Sequence, residues 1–361
     1  MTASGIQTAL LMMCGAAALV AQAPSAEPEN FLRKELAITT GELASLEKGQ
    51  IIVRLPKTPE TREVAAFAIM RLDVAGGFFI DQMRDIVNFK KSESVLQIGK
   101  FSNPPRLEDL AGLSLDSGDI EAIRRCRVNS CDVKLSERFI ERFRKEVNWS
   151  APNYRDRVTA LTREMLLECV ETYLLGGNTA LGEYRDKPYP LRLADEFRSL
   201  LQPVPYMYEY APEFQKYLLG FPDARPADVE DFIYWSKEKL GLKPVISLTH
   251  VTVYKQHRPN GTDLLIASKG IYANHYLEVS LGLTGFIHSQ SSDPDRTYLI
   301  YVNRSRADAL RGLFGGLKRS LVLGSLRDGV KKNMEMIKDK LESDYGKYEN
   351  KATELQLNRN R

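Results

Sequence analysis

The chain has 361 residues, of which 43% are hydrophobic and 27% charged, and its formal net charge is +3. These proportions describe a folded globular protein, long enough for two packed units or for one domain with a large insertion. So small a positive excess leaves no electrostatic footprint for nucleic acid. The sequence also lacks a Walker loop, a dinucleotide fingerprint, a Cys-x-x-Cys pair and a His-Glu-x-x-His helix, so no nucleic-acid partner, cofactor or metal is expected.

The first 26 residues carry no charge. Ala9 to Val20 form an apolar run followed by small residues and Pro24, the pattern of a secretory signal. Export, to a periplasm or the exterior, is therefore expected. An uncleaved anchor fits less well, because a run of about 12 apolar residues is short for a membrane span.

Residues 27–135 open with two expected strands, Gln50–Leu55 and Val64–Asp73, either side of a Pro56/Pro59 turn. Phe78–Phe89 follows as a helix with Phe79, Met83, Ile86 and Val87 on one face, and Ser94–Phe101 as a third strand. Cys126 and Cys131 stand five positions apart. In an oxidising compartment two such thiols close a small loop, so a disulfide is expected.

Residues 136–241 read as a helical insertion. Val158, Leu161, Met165, Cys169 and Tyr173 form a helical stripe stopped by Gly176 and Gly177. Leu193–Leu201, Ala211–Leu219 and Ala227–Leu240 read as shorter helices between prolines. Tyr206, Tyr208, Tyr210, Tyr217, Phe221, Phe232, Tyr234 and Trp235 make this segment aromatic. They serve either as its own core or as the cover of an apolar ligand.

Residues 242–342 begin with four extended, β-branched and aromatic runs, Val245–Tyr254, Leu264–Lys269, Ile271–Ile287 and Thr297–Val302. Turn formers at Arg258–Thr262 and Ser291–Asp295 separate the first two and the last two, which predicts antiparallel hairpins. The apolar spacing then changes to three and four from Leu310 to Leu341, predicting one long closing helix. The tail, 343–361, is polar and expected to fray.

Ile271 to Thr284, Tyr298 to Arg306 and the glycine-punctuated helix Leu310 to Leu341 together resemble the START-related lipid-transfer and polyketide-cyclase superfamily, the helix-grip fold. The strand–helix–strand opening of the chain has the order that this family requires. The resemblance implies an α+β fold, a curved antiparallel sheet closed by a long C-terminal helix, with a deep apolar cavity between them. Relatives use that cavity to carry, sense or modify hydrophobic molecules. Tyr254, Tyr272, His275, Tyr298, Leu313, Leu317 and Leu321 are then the expected cavity residues.

The function expected is binding or transfer of a lipid-like or polycyclic ligand. The alternatives are a cyclase, dehydratase or hydrolase on the same scaffold, or a non-catalytic envelope interaction protein. His250 and His275 lie in predicted strands and are the acid–base candidates for the enzyme reading. Arg304 to Glu342 holds ten Lys/Arg against five Asp/Glu. Lys318, Arg319, Lys331 and Lys332 are accordingly expected to face an anionic membrane, or simply to solvate the helix. Protein partners and oligomeric state have no signal in the sequence.

Overall fold

The computed structural model describes residues 32–33, 36–201, 210–258, 261–288, 297–310 and 315–359; in the last helix the side chains described are those of 323–351. The expected leader, Leu313 and the side chains of Leu317, Leu321, Lys318 and Arg319 lie outside the described residues.

Five long strands run in succession through the C-terminal half: β6 (Val229–Leu240), β7 (Lys243–Arg258), β8 (Gly261–Ala273), β9 (Leu277–His288) and β10 (Thr297–Ala307). Three earlier strands, β1 (Ile52–Arg54), β2 (Glu63–Leu72) and β3 (Val95–Lys100), attach to the two ends of this meander. The result is one eight-stranded sheet in the order β1-β2-β10-β9-β8-β7-β6-β3, with every neighbouring pair antiparallel. The sheet is open, with β1 and β3 as its edges.

Helices cover both faces. On one face lie α2 (Gly76–Arg84), α3 (Ile86–Phe89) and the closing helix α9 (Gly315–Arg359), against Ala68, Met70, Val251, Ile266, Phe286 and Leu299. On the other lie α1 (Thr40–Glu47), α4 (Ser117–Arg125), α5 (Glu137–Glu146), α6 (Tyr154–Gly176), α7 (Leu193–Leu201) and α8 (Pro212–Gly220). Their partners in the sheet include Phe67, Ile69, Leu248, Leu281 and Ile300. Successive strand residues point to opposite faces. A strand covered on both faces therefore loses its polar alternation, which is why β2 reads Val-Ala-Ala-Phe-Ala-Ile-Met. The architecture is thus α+β, a large antiparallel sheet with a long C-terminal helix.

Several expectations need correcting. Ala227–Leu240 is no helix: Val229–Leu240 is strand β6, pairing with both β7 and β3. The helical layer accordingly spans α4 to α8, and within 136–241 a small hairpin, β4 (Glu183–Tyr184) with β5 (Leu191–Arg192), interrupts it. Ile271–Ile287 is not one run, because a turn at Asn274–Tyr276 separates β8 from β9, with Tyr276 at φ +56°. Leu310 ends a short 3-10 turn ahead of α9, and α9 continues into the polar tail as far as Arg359. Tyr345 and Tyr348 hold that extension against Phe78, with ring centroids 5.3 and 5.6 Å away.

Two polar features fix the layers. Glu63, fully buried at the start of β2, accepts from Arg304 Nε at 2.8 Å and pairs with Arg306 at 3.2 Å. Arg306 also reaches Glu196 of α7 at 2.6 Å, tying the sheet to the helical layer. At the opposite edge, Gly99 of β3 lies under the Trp235 indole, where an added Cβ would sit 2.5 Å from Nε1. That indole donates to the carbonyl of Asp109 at 2.8 Å. As expected, Cys126 and Cys131 form a disulfide, which closes the turn after α4 with the two Cα atoms 4.5 Å apart.

Candidate functional site

The closing helix does not lie flat on the sheet. Met334, Ile337 and Lys340 of α9, with Phe79, Met83, Ile86 and Phe89 of α2 and α3, roof a cavity of about 410 Å³. This falls in the range of small-molecule sites, roughly 300–1,000 Å³. The roof is apolar. The floor is sheet and has a different chemistry: Ser247 and Thr249 on β7, Ser268 and Gly270 on β8, Ser280, Gly282 and Thr284 on β9, Tyr301 and Asn303 on β10.

Strand register explains why these residues meet. Ser268 pairs with Gly282, which pairs in turn with Asn303, so small polar residues form a row across three strands. Small side chains lower the floor and leave the space that the helices bridge. Some hydroxyls are already used, with Ser305 donating to Ser280 at 3.0 Å and Ser247 lying 3.3 Å from Ser236. The hydroxyls of Thr249, Ser268 and Thr284 make no hydrogen bond among the described residues. They remain free for a ligand.

In the cavity wall Lys90 pairs with Glu238 at 3.0 Å. The Lys90 ammonium also stands 5.4 Å from the centre of the Tyr234 ring. Burial alone would lower the Lys90 pKa, but Tyr234 and Glu238 outweigh it and hold it above the usual lysine value. Burial would raise Glu238, and Lys90 with Ser236 instead keeps it below the usual carboxylate value. Both groups therefore stay charged at neutral pH, as a fixed dipole rather than a proton donor or acceptor. Burial raises the Tyr301 phenol, which stays protonated.

Of the expected cavity residues, Tyr272 borders the space and donates its hydroxyl to the Lys134 carbonyl at 3.1 Å. Tyr254 and Tyr298 lie on the other face, where Tyr254 stacks on Phe214 and Tyr298 bonds Glu47 at 2.6 Å. His275 sits in the β8–β9 turn, 2.9 Å from Asp119 of α4. His250 is also on the other face. Neither histidine lines the cavity. Among the aromatic residues of 206–235, Tyr234 lines the cavity, while Tyr217, Phe221 and Trp235 belong to the opposite core.

No family model, curated protein or solved structure matches this chain. The site must be read from its own geometry.

His250 belongs to a buried polar chain beneath α6. Lys269 donates to the Tyr173 hydroxyl at 3.0 Å, Tyr173 donates to His250 Nδ1 at 2.8 Å, and His250 Nε2 donates to Asp231 at 2.9 Å. Lys269 also donates to Asn178 and lies 4.0 Å from the Phe197 ring centre. Burial drives the Lys269 pKa well below the lysine value. It lowers His250 too, although Asp231 pulls the other way. All four donors and acceptors are satisfied internally, so this network specifies the core rather than facing a substrate.

Proposed function

We propose that the protein binds an amphipathic small molecule non-covalently between the sheet and α9. The observation that carries this reading is the two-sided cavity, with an apolar helical roof and a floor offering three unpaired hydroxyls. A hydrocarbon face would be buried against Phe79, Met83 and Met334, at about 0.8 kcal/mol per methylene. The hydroxyls of Thr249, Ser268 and Thr284 would meet oxygen or nitrogen atoms on the other face of the ligand, adding orientation.

The wider helix-grip reading draws support from the topology. Two helices stand between β2 and β3, the meander β6–β10 fills the sheet between them, and a long helix follows the last strand. The disulfide supports export. No helix among the described residues is long and apolar enough to cross a membrane.

Native mass spectrometry of the chain purified from its producing cells, followed by organic extraction, tests the reading. A non-covalent adduct is expected that is extractable and is lost in Ser268→Phe, which fills the floor. If neither an adduct nor uptake of an added amphiphile is seen in the wild type, the binding reading fails.

A further inference from the structure

The turn between β6 and β7 is built to expose a leucine. Leu240 pairs with Lys243, leaving Gly241 and Leu242 as a two-residue loop. Gly241 has φ +80°, a conformation that favours glycine. The Tyr276 ring lies beneath it, 3.4 Å from where a Cβ would stand, and the Tyr276 hydroxyl accepts from the Lys243 amide at 2.8 Å. The tip is thus braced from below, yet Leu242 is 99% exposed and Leu240 45%. Leu240 and the exposed Met336 of α9 both line the cavity, so the apolar tip stands at its mouth.

Lysines flank this tip on both sides, Lys239 before it and Lys243 after it. Lys91, Lys239 and Lys243 are exposed and make no ion pair among the described residues, and Lys90 and Lys340 complete the rim. The acidic neighbours are Glu93, Glu238, Glu335 and Asp339, of which Glu238 is already paired with Lys90.

We propose that residues 239–243 dock into the surface of an anionic lipid bilayer, bringing the cavity mouth to the membrane. Leu242 and Leu240 would enter the headgroup–acyl boundary while Lys239, Lys243 and Lys91 meet lipid phosphates. Lysine suits this place because its apolar stem follows the leucines inward as its ammonium stays at the headgroups. Aliphatic side chains flanked by lysines also lack the Trp, Tyr and Arg anchors that dominate protein–protein contacts. Lys331 and Lys332 of α9, just before the cavity-lining Asn333, are exposed as well. The proposal rests on the cavity exchanging an amphipathic ligand, and it explains where that ligand crosses without entering water.

The test is co-sedimentation of the full chain with vesicles of phosphatidylcholine alone and of phosphatidylcholine mixed with phosphatidylglycerol. Binding is expected only with the anionic lipid and should weaken with salt. Leu242→Ser should bind about tenfold more weakly, as should Lys239→Glu combined with Lys243→Glu. Leu242→Trp should bind and show blue-shifted emission on the anionic vesicles. Leu175→Ser, at an 86% exposed site at the end of α6 on the other face, should change nothing. Equal binding to both vesicle types, or equal losses in Leu242→Ser and Leu175→Ser, overturns the docking surface. Uptake of cis-parinaric acid in vesicle-free buffer separates the two ideas. Leu242→Ser should take up the probe as the wild type does, whereas a wild type that takes up none defeats the ligand reading whatever the vesicles show.

Discussion

Lys269 enters the core of the sheet as a base whose pKa burial lowers, and no carboxylate offsets that burial. An amine with a folded pKa below its unfolded value binds fewer protons in the native state. Its contribution to stability is complete above the unfolded value, about 10.4, and is lost as pH falls toward the folded one. His250 acts in the same direction below about pH 6.5. Lys269→Met should therefore raise the urea midpoint at pH 7, with an advantage that shrinks as pH approaches 10. A constant offset across that range would show that the amine is charged in the folded protein. Glu63 poses the opposite problem, a buried anion between two arginines. Removing it leaves the buried Arg304 without its carboxylate, while Arg306 keeps Glu60 and Glu196, so Glu63→Ala should cost about 3 kcal/mol in equilibrium unfolding.

Elements differ in how openly the sequence announces them. Strands β2, β3, β7 and β10 follow from apolar and β-branched runs bounded by turn formers, and helices α2 and α6 from helical stripes and the Gly176–Gly177 stop. Strand β6 does not, because both of its faces are buried: Ile233 and Trp235 point to one core and Tyr234 to the other. Without a polar side, its period is hidden, and its charges imitate an amphipathic helix. The cavity was legible as a place but not as a lining. Tyr298 and Tyr301 are equally plausible on paper, yet strand parity sends them to opposite faces, and only the pairing of β10 with β9 decides which. The serines and threonines of the floor look like an ordinary solvent-facing alternation until α9 is laid across them. The disulfide was legible, and its role is local. It closes a short loop, so Cys126→Ala with Cys131→Ala should lower stability by only about 2 kcal/mol, measured by denaturant unfolding under oxidising conditions.

At the scale of the whole molecule, the pairing of β2 with β10 sets an order of events. Glu63 and its partner Arg306 are 243 positions apart, and β2 is apolar on both faces. At about 5–20 residues per second, roughly 10–50 s of synthesis separate the emergence of the two strands from the ribosome. Throughout that interval an aggregation-prone strand waits for a partner not yet made. The nascent chain cannot complete its sheet until β10 has been made. A chain ending before Thr297 should collect in the pellet and co-purify with chaperones, whereas one ending after Tyr348 should stay soluble.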